Sequence, residues 1–253
     1  MINFTHIFQD CWNFMRNQHK ITLQFTALFF VTSIVTIIFT QPEQTQAIES
    51  AESIATSNIN NLQISKYMII LGLLQVLLKI FISAWGTATI HQLSQHFQAQ
   101  LSHSFTIAAK RLLGLVLINI LISIPLGIGA SEILVSTMMH KSPSVFSLIA
   151  VVLGIFVFVR LNLLNVHYLI HNQSFNQSLR TMWQSGIKRT QHLFLYTLIS
   201  YIALPLLLRQ FSLWVGNNLL MEILITAIIS LADVFLLIFT YRFYTIFMQQ
   251  KEQ

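Results

Sequence analysis

The chain is predicted to be an all-α polytopic membrane bundle of six transmembrane helices with three cytoplasmic interfacial amphipathic helices. Composition is the first reason. Of 253 residues, 55% are hydrophobic and 9% are charged, where a soluble domain carries about a quarter charged residues. The second reason is arrangement, because the apolar residues gather into long runs separated by loops whose basic residues fall on alternating sides. A β-barrel would show alternating segments of about ten residues, which continuous runs such as 71–82 and 145–159 do not.

The expected spans are residues 21–39, 67–90, 112–138, 143–170, 193–215 and 219–248. At about 1.5 Å per residue even the shortest approaches the roughly 30 Å hydrocarbon core, and the longer ones can tilt. A cleaved leader at 21–39 is disfavoured: Asp10 interrupts it and no clear small-x-small site follows. The first span is therefore an anchor.

A one-sided apolar stripe precedes each pair of spans. Phe4, Ile7, Phe8, Cys11, Trp12 and Met15 form it in 4–20; Leu93, Phe97, Leu101, Phe105 and Ala108 in 93–110; Phe175, Leu179, Met182, Trp183 and Ile187 in 175–189. Each leads into basic residues and then a span, the pattern of a helix lying at a membrane surface. The chain is one integral membrane domain, 1–253, with hydropathy repeat units 1–90, 91–170 and 171–253. The connection 41–65, rich in Gln, Ser, Asn, Thr and Glu, is expected to be a flexible or partly helical periplasmic loop.

Basic residues set the orientation. Arg16, Lys20, Lys110, Arg111, Arg180, Lys188, Arg189, Arg242 and Lys251 fall on one side; Lys66, Lys141 and Arg209 fall on the other, which also holds Glu43, Glu49 and Glu52. The positive-inside bias puts both termini in the cytoplasm. Arg16, Arg180, Lys188 and Arg189 then become candidates for lipid headgroups. Topology and lipid contact explain the net charge of +6, so membrane lipids are the expected partners, with a membrane protein or a second copy beside them, and nucleic acid is not.

Three ionisable groups lie well inside spans: Lys79, Arg160 and Asp233. Each costs about 2.5–3.5 kcal/mol at a helix centre when left alone in lipid. They need water or one another, and their similar depths predict that Asp233 meets Lys79 or Arg160, directly or through water. A structural salt bridge is one reading, and a polar cavity or transport route the other. Pro125 with Gly127 and Gly129 is expected to kink the third span and Pro205 the fifth; Ser83, Ala84, Thr87 and Ala88 form a small face for close packing.

Catalytic signals are weak. Cys11 is the only cysteine, which excludes an intramolecular disulfide, a C-x-x-C pair and a thiolate metal cage. His167 and His171 stand four apart on a helix, yet there is no H-E-x-x-H, Walker A loop or G-x-S-x-G elbow. No metal, cofactor or catalytic residue is expected.

Asp10-Cys11-Trp12-Asn13-Phe14-Met15-Arg16-Asn17-Gln18 near one end and Leu236-Leu237-Ile238-Phe239-Thr240-Tyr241-Arg242-Phe243-Tyr244 near the other resemble the corresponding regions of the YciC-type family of gammaproteobacterial inner-membrane proteins. Ser178-Leu179-Arg180-Thr181-Met182-Trp183 is similar to a surface helix of that family. The resemblance implies an inner-membrane location and six spans, and carries no biochemical activity. A small or weakly polar residue is expected there in place of Asp233, so no Asp-centred mechanism is carried over.

Two function classes follow. One is a non-enzymatic envelope protein that organises lipid or partner proteins through its surface helices. The alternative is a transporter or lipid-handling permease with a polar route near Lys79, Arg160 and Asp233. An enzyme is the least supported.

Overall fold

Asn3 starts the first helix, its side-chain oxygen accepting the Thr5 and His6 N–H groups at 3.1 and 3.4 Å and so capping two orphan donors. In this computed structural model residues 2–53, 66–95, 100–171, 173–187, 189–214 and 219–249 are described, with side chains at 36, 38–53, 66–68, 212–214 and 219 outside that description. The helices are α1 (Phe4–Asn17), α2 (His19–Ser53), α3 (Lys66–Ser94), α4 (Leu101–Met138), α5 (Val145–Leu161), α6 (Leu164–Ile170), α7 (Phe175–Gly186), α8 (Thr190–Thr197), α9 (Leu204–Trp214) and α10 (Leu219–Gln249), with a π-helical turn, Leu198–Ala203, between α8 and α9. No strand occurs among the described residues.

Among the described residues five stretches are long and apolar enough to cross a membrane: Ile69–Ser94, Leu101–Met138, Val145–Ile170, Thr190–Phe211 and Leu220–Gln249. The first expected span appears as a shorter apolar stretch, His19–Val35, within α2. Outward-facing side chains are apolar, with Leu113 75%, Val145 73% and Phe146 67% exposed. This is a multi-pass membrane protein whose outer surface suits lipid rather than water.

Inside, aromatic rings join the chain ends to the bundle. Phe4 stacks on Phe243 at 5.7 Å, Phe8 on Phe239 at 4.9 Å, and Tyr196 on Phe243 at 4.6 Å, measured between ring centroids. The expected stripe on α1 thus faces α10, with Ile7 and Cys11 fully buried. Trp12, in that stripe on sequence grounds, instead points away and is 64% exposed. On α7, Ser174 and Gln177 close a capping box, and Ser178, Met182 and Gly186 are buried.

The second expected surface segment has a different form. Leu101 opens α4, which runs unbroken to Met138, so residues 101–110 extend a spanning helix instead of forming a separate one; Phe97 lies outside the described residues. The connection after the first span is helical through Ser53, and 54–65 lie outside the described residues. Ala84 and Ala88 pack with Ala108, Leu115 and Leu169, as the small-residue face of α3 predicts.

Two spans are interrupted. Helical continuity lapses at Asn162 and Leu163, which form a turn between α5 and α6, in the middle of what the sequence predicts as one span. Pro205 has no N–H to donate back along its helix and its ring crowds the preceding turn; the π-helical turn lies immediately before it. Irregular backbone at membrane depth persists where it is buried in protein or lines a cavity. Both interruptions touch the same cavity.

Candidate functional site

The cavity has a volume of about 340 Å³. Its walls come from α3 (Lys79, Ser83, Thr87), α4 (Asn119), the α5–α6 interruption (Asn162), α6 (Asn165), the π-helical turn (Tyr201) and α10 (Asp233, Thr240), with apolar surface from Phe29, Ile80, Leu115, Leu236 and Leu237. Along α10 Asp233 and Thr240 stand two helical turns apart, so the polar lining extends for about 10 Å along the bundle.

Several polar side chains there hold one another in place. Asn119 and Asn165 exchange amide hydrogen bonds, Asn165 Nδ2 donating to Asn119 Oδ1 at 3.2 Å and Asn119 Nδ2 to Asn165 Oδ1 at 3.5 Å. Thr240 donates to the Leu236 carbonyl at 2.7 Å, leaving its oxygen to accept from the Tyr196 hydroxyl at 2.7 Å. Asn162 Nδ2 donates to Thr197 Oγ1 at 2.5 Å. Asn162 Oδ1 is buried and has no partner.

Of the three expected intramembrane charges, the fold brings two together. Lys79 and Asp233 line the same cavity. They are not within the 4.0 Å of an ion pair. Arg160 is elsewhere: 8% exposed, its guanidinium lies 4.9 Å from the Trp183 ring and 5.3 Å from the Phe156 ring. Its aliphatic stem runs against Gly186. Cation–π contact and packing hold this side chain between α5 and α7, its Nε is buried without a hydrogen-bond partner, and Arg160 does not line the cavity with the other two.

The headgroup candidates also divide. Arg16 and Arg180 are exposed. Arg189 instead donates from Nη1 to the Phe247 carbonyl at 2.8 Å and lies 5.8 Å from the Phe247 ring, where it satisfies a carbonyl near the C-terminus of α10. Lys188 lies outside the described residues. Arg111, read in the sequence only as an orienting charge, donates to the carbonyls of Tyr168, in the last turn of α6, and of His171, which caps it, the latter at 2.6 Å.

A second polar cluster surrounds this arginine. His167 donates from Nε2 to Gln173 Oε1 at 3.2 Å, so in the neutral tautomer its Nδ1 accepts from Tyr244 at 2.7 Å; His91 Nδ1 bonds Tyr241 at 3.0 Å. His167 and His171 rings are 4.6 Å apart, but no group of three His, Cys, Asp or Glu fit for a metal occurs among the described residues. These contacts place Arg111, Arg189 and Arg242, the last over Phe14 at 5.6 Å, at one end of the bundle.

Burial, and then the Arg111 charge beside it, lower the His171 pKa below its ordinary 6.5. A depressed imidazole pKa stabilises the fold fully above the unfolded value, and that contribution is lost as pH falls through the folded one. Thermal stability in detergent is expected to decline on acidification below about pH 6.5, and His171→Gln should flatten that decline. An unchanged profile in the variant would assign the decline to other groups.

The chain is 35% identical over 249 residues to an uncharacterised protein of Haemophilus influenzae, covering 98% of this chain and 99% of that one. It belongs to the same family. The match includes the cavity-lining helices as well as both ends, and it is consistent with a family of gammaproteobacterial membrane proteins. No family model matches the chain, and no solved structure matches it.

Proposed function

We propose that this protein is a six-span bacterial inner-membrane protein of the YciC type, with both termini in the cytoplasm, that takes a small polar or amphipathic molecule into the bundle and moves it through or between leaflets. The observation that carries this reading is the cavity of about 340 Å³ lined by Lys79, Asp233 and three asparagines. Amide and charged side chains inside apolar helices are costly, and they mark substrate or ion pathways when they converge on a shared space. On this reading the activity is non-enzymatic, and membrane lipids and a second copy are its partners.

The surface-organising reading also has support. On α1, Trp12 and Arg16 are four residues apart and both exposed, a pairing suited to a membrane interface; Arg180 on α7 is exposed as well. The charge-based orientation and a surface position for α1 and α7 are parts of the same proposal, with residues 101–110 entering the membrane as the first turns of α4.

Proteoliposomes test the transport reading. Translocation of a fluorescently labelled phospholipid, followed by dithionite quenching of the outer leaflet, should exceed that of protein-free vesicles and fall when Ala84→Phe, at a residue that also lines the cavity, fills it. Equal rates with wild type, Ala84→Phe and no protein would leave the surface-organising role as the better reading.

A further inference from the structure

We infer that the cavity binds a molecule carrying a primary ammonium group and, a few bonds away, an anionic group. This deepens the cavity reading above and rests on it. The shared chemistry is that of a phosphoethanolamine lipid headgroup and of a free aminoalkyl phosphate or amino acid.

Charge balance is the first argument. One cation, Lys79, and one anion, Asp233, line the cavity without forming an ion pair within 4.0 Å. A ligand bearing a single charge would satisfy one of them and leave the other confronting a low-dielectric surrounding. A zwitterion satisfies both.

An amide beside those charges is also unsatisfied. Asn162 is only 5% exposed and lines the cavity, yet its Oδ1 lacks a donor. The orientation of this amide follows from its neighbour: Thr197 has one hydroxyl hydrogen, which it donates to the Leu193 carbonyl at 2.7 Å. Thr197 Oγ1 can therefore only accept from Asn162, which assigns Nδ2 to that bond at 2.5 Å and leaves Oδ1 as the free end. A buried acceptor without a donor is unfavourable until something supplies one. An ammonium has three N–H donors and no acceptor, and so suits a cavity whose lining includes Asp233 and Asn162. Lys79 is left for the anionic end.

Size agrees. About 340 Å³ is near the lower end of ligand sites, roughly 300–1,000 Å³. It holds a headgroup or an amino acid and leaves no space for two acyl chains, which would extend along the apolar surfaces of the neighbouring helices.

The test uses the full chain in detergent with short-chain phosphatidylethanolamine, phosphatidylglycerol of the same chain length, and free O-phosphoethanolamine as probes, read by isothermal titration. Phosphatidylethanolamine is expected to bind at least about tenfold more tightly than phosphatidylglycerol, and Lys79→Gln and Asp233→Asn should each erase most of that preference. Competition by free O-phosphoethanolamine would assign recognition to the headgroup alone, and competition only by the lipid would add the acyl chains; both support the inference. The wild-type comparison stands even if a variant fails to fold. Equal binding of the two lipids, abolished by Ala84→Phe, overturns the zwitterion assignment while preserving the cavity as a ligand site. No binding of any probe, or binding that Ala84→Phe leaves unchanged, overturns both.

Discussion

Gly154→Leu is expected to prevent the α4–α5 hairpin from forming, and Gly154→Ala to destabilise the protein by about 1–3 kcal/mol. A Cβ at Gly154 would lie 2.6 Å from the Leu126 backbone nitrogen and 2.7 Å from its Cα. Backbone cannot rotate aside as a flexible side chain can. Gly129 on the facing helix is in the same position, since its added Cβ would lie 2.8 Å from the Ser147 carbonyl oxygen. Helices approach this closely in a membrane because small residues let backbone surfaces touch. Gly127 supplies the control: an added Cβ there meets nothing within 4 Å, so Gly127→Ala should be neutral or gain up to about 1 kcal/mol from helix propensity. Unfolding in mild detergent, followed by helicity and by monodispersity, checks the contrast. Equal effects at 154 and 127 would contradict the close approach.

Asp233→Asn and Lys79→Met are each expected to cost about 2–3 kcal/mol, because either leaves one intramembrane charge without its opposite. The double substitution should recover most of that loss, since it removes both charges from the same cavity. Ligand handling should not recover with it. The stability cycle and the translocation assay therefore respond differently, which separates a structural charge pair from a working site. Additive losses in the double variant would mean that the two charges do not sense one another.

Much of this arrangement was legible before the fold. Lys79 and Asp233 stand out because charges are rare inside apolar runs, and Pro205 foretells a disturbed helix because it lacks an N–H. Arg160 carried the same warning but had another solution, a box formed by Phe156 and Trp183. Which solution a charge adopts depends on how its helix is rotated against its neighbours, and contacts far apart in the chain decide that. The caps supplied by Arg111 and Arg189 were hidden for the same reason, since each reaches a carbonyl more than fifty residues away. Asn119, Asn162 and Asn165 had a visible signal, amides within apolar spans, but single amides scarcely lower the hydropathy of a long window. The free Asn162 oxygen needed the Thr197 contact to be seen at all.

The claim that a ligand-accessible polar cavity lies within the bundle is tested most directly by thiol accessibility. The background is favourable: Cys11 is fully buried, and burial, opposed by the Arg242 charge and reinforced by Asp10, pushes its thiol up to about 12, so the native chain has little reactive thiolate near neutral pH. Single cysteines are placed at Ser83, Thr87 and Asn119, which line the cavity, and at Leu74 and Leu117, which face outward at 51% and 53% exposure. In lipid nanodiscs a charged, membrane-impermeant methanethiosulfonate reagent is expected to modify the cavity positions at least about tenfold faster than the lipid-facing ones. Equal, slow modification at all five positions would contradict an accessible cavity.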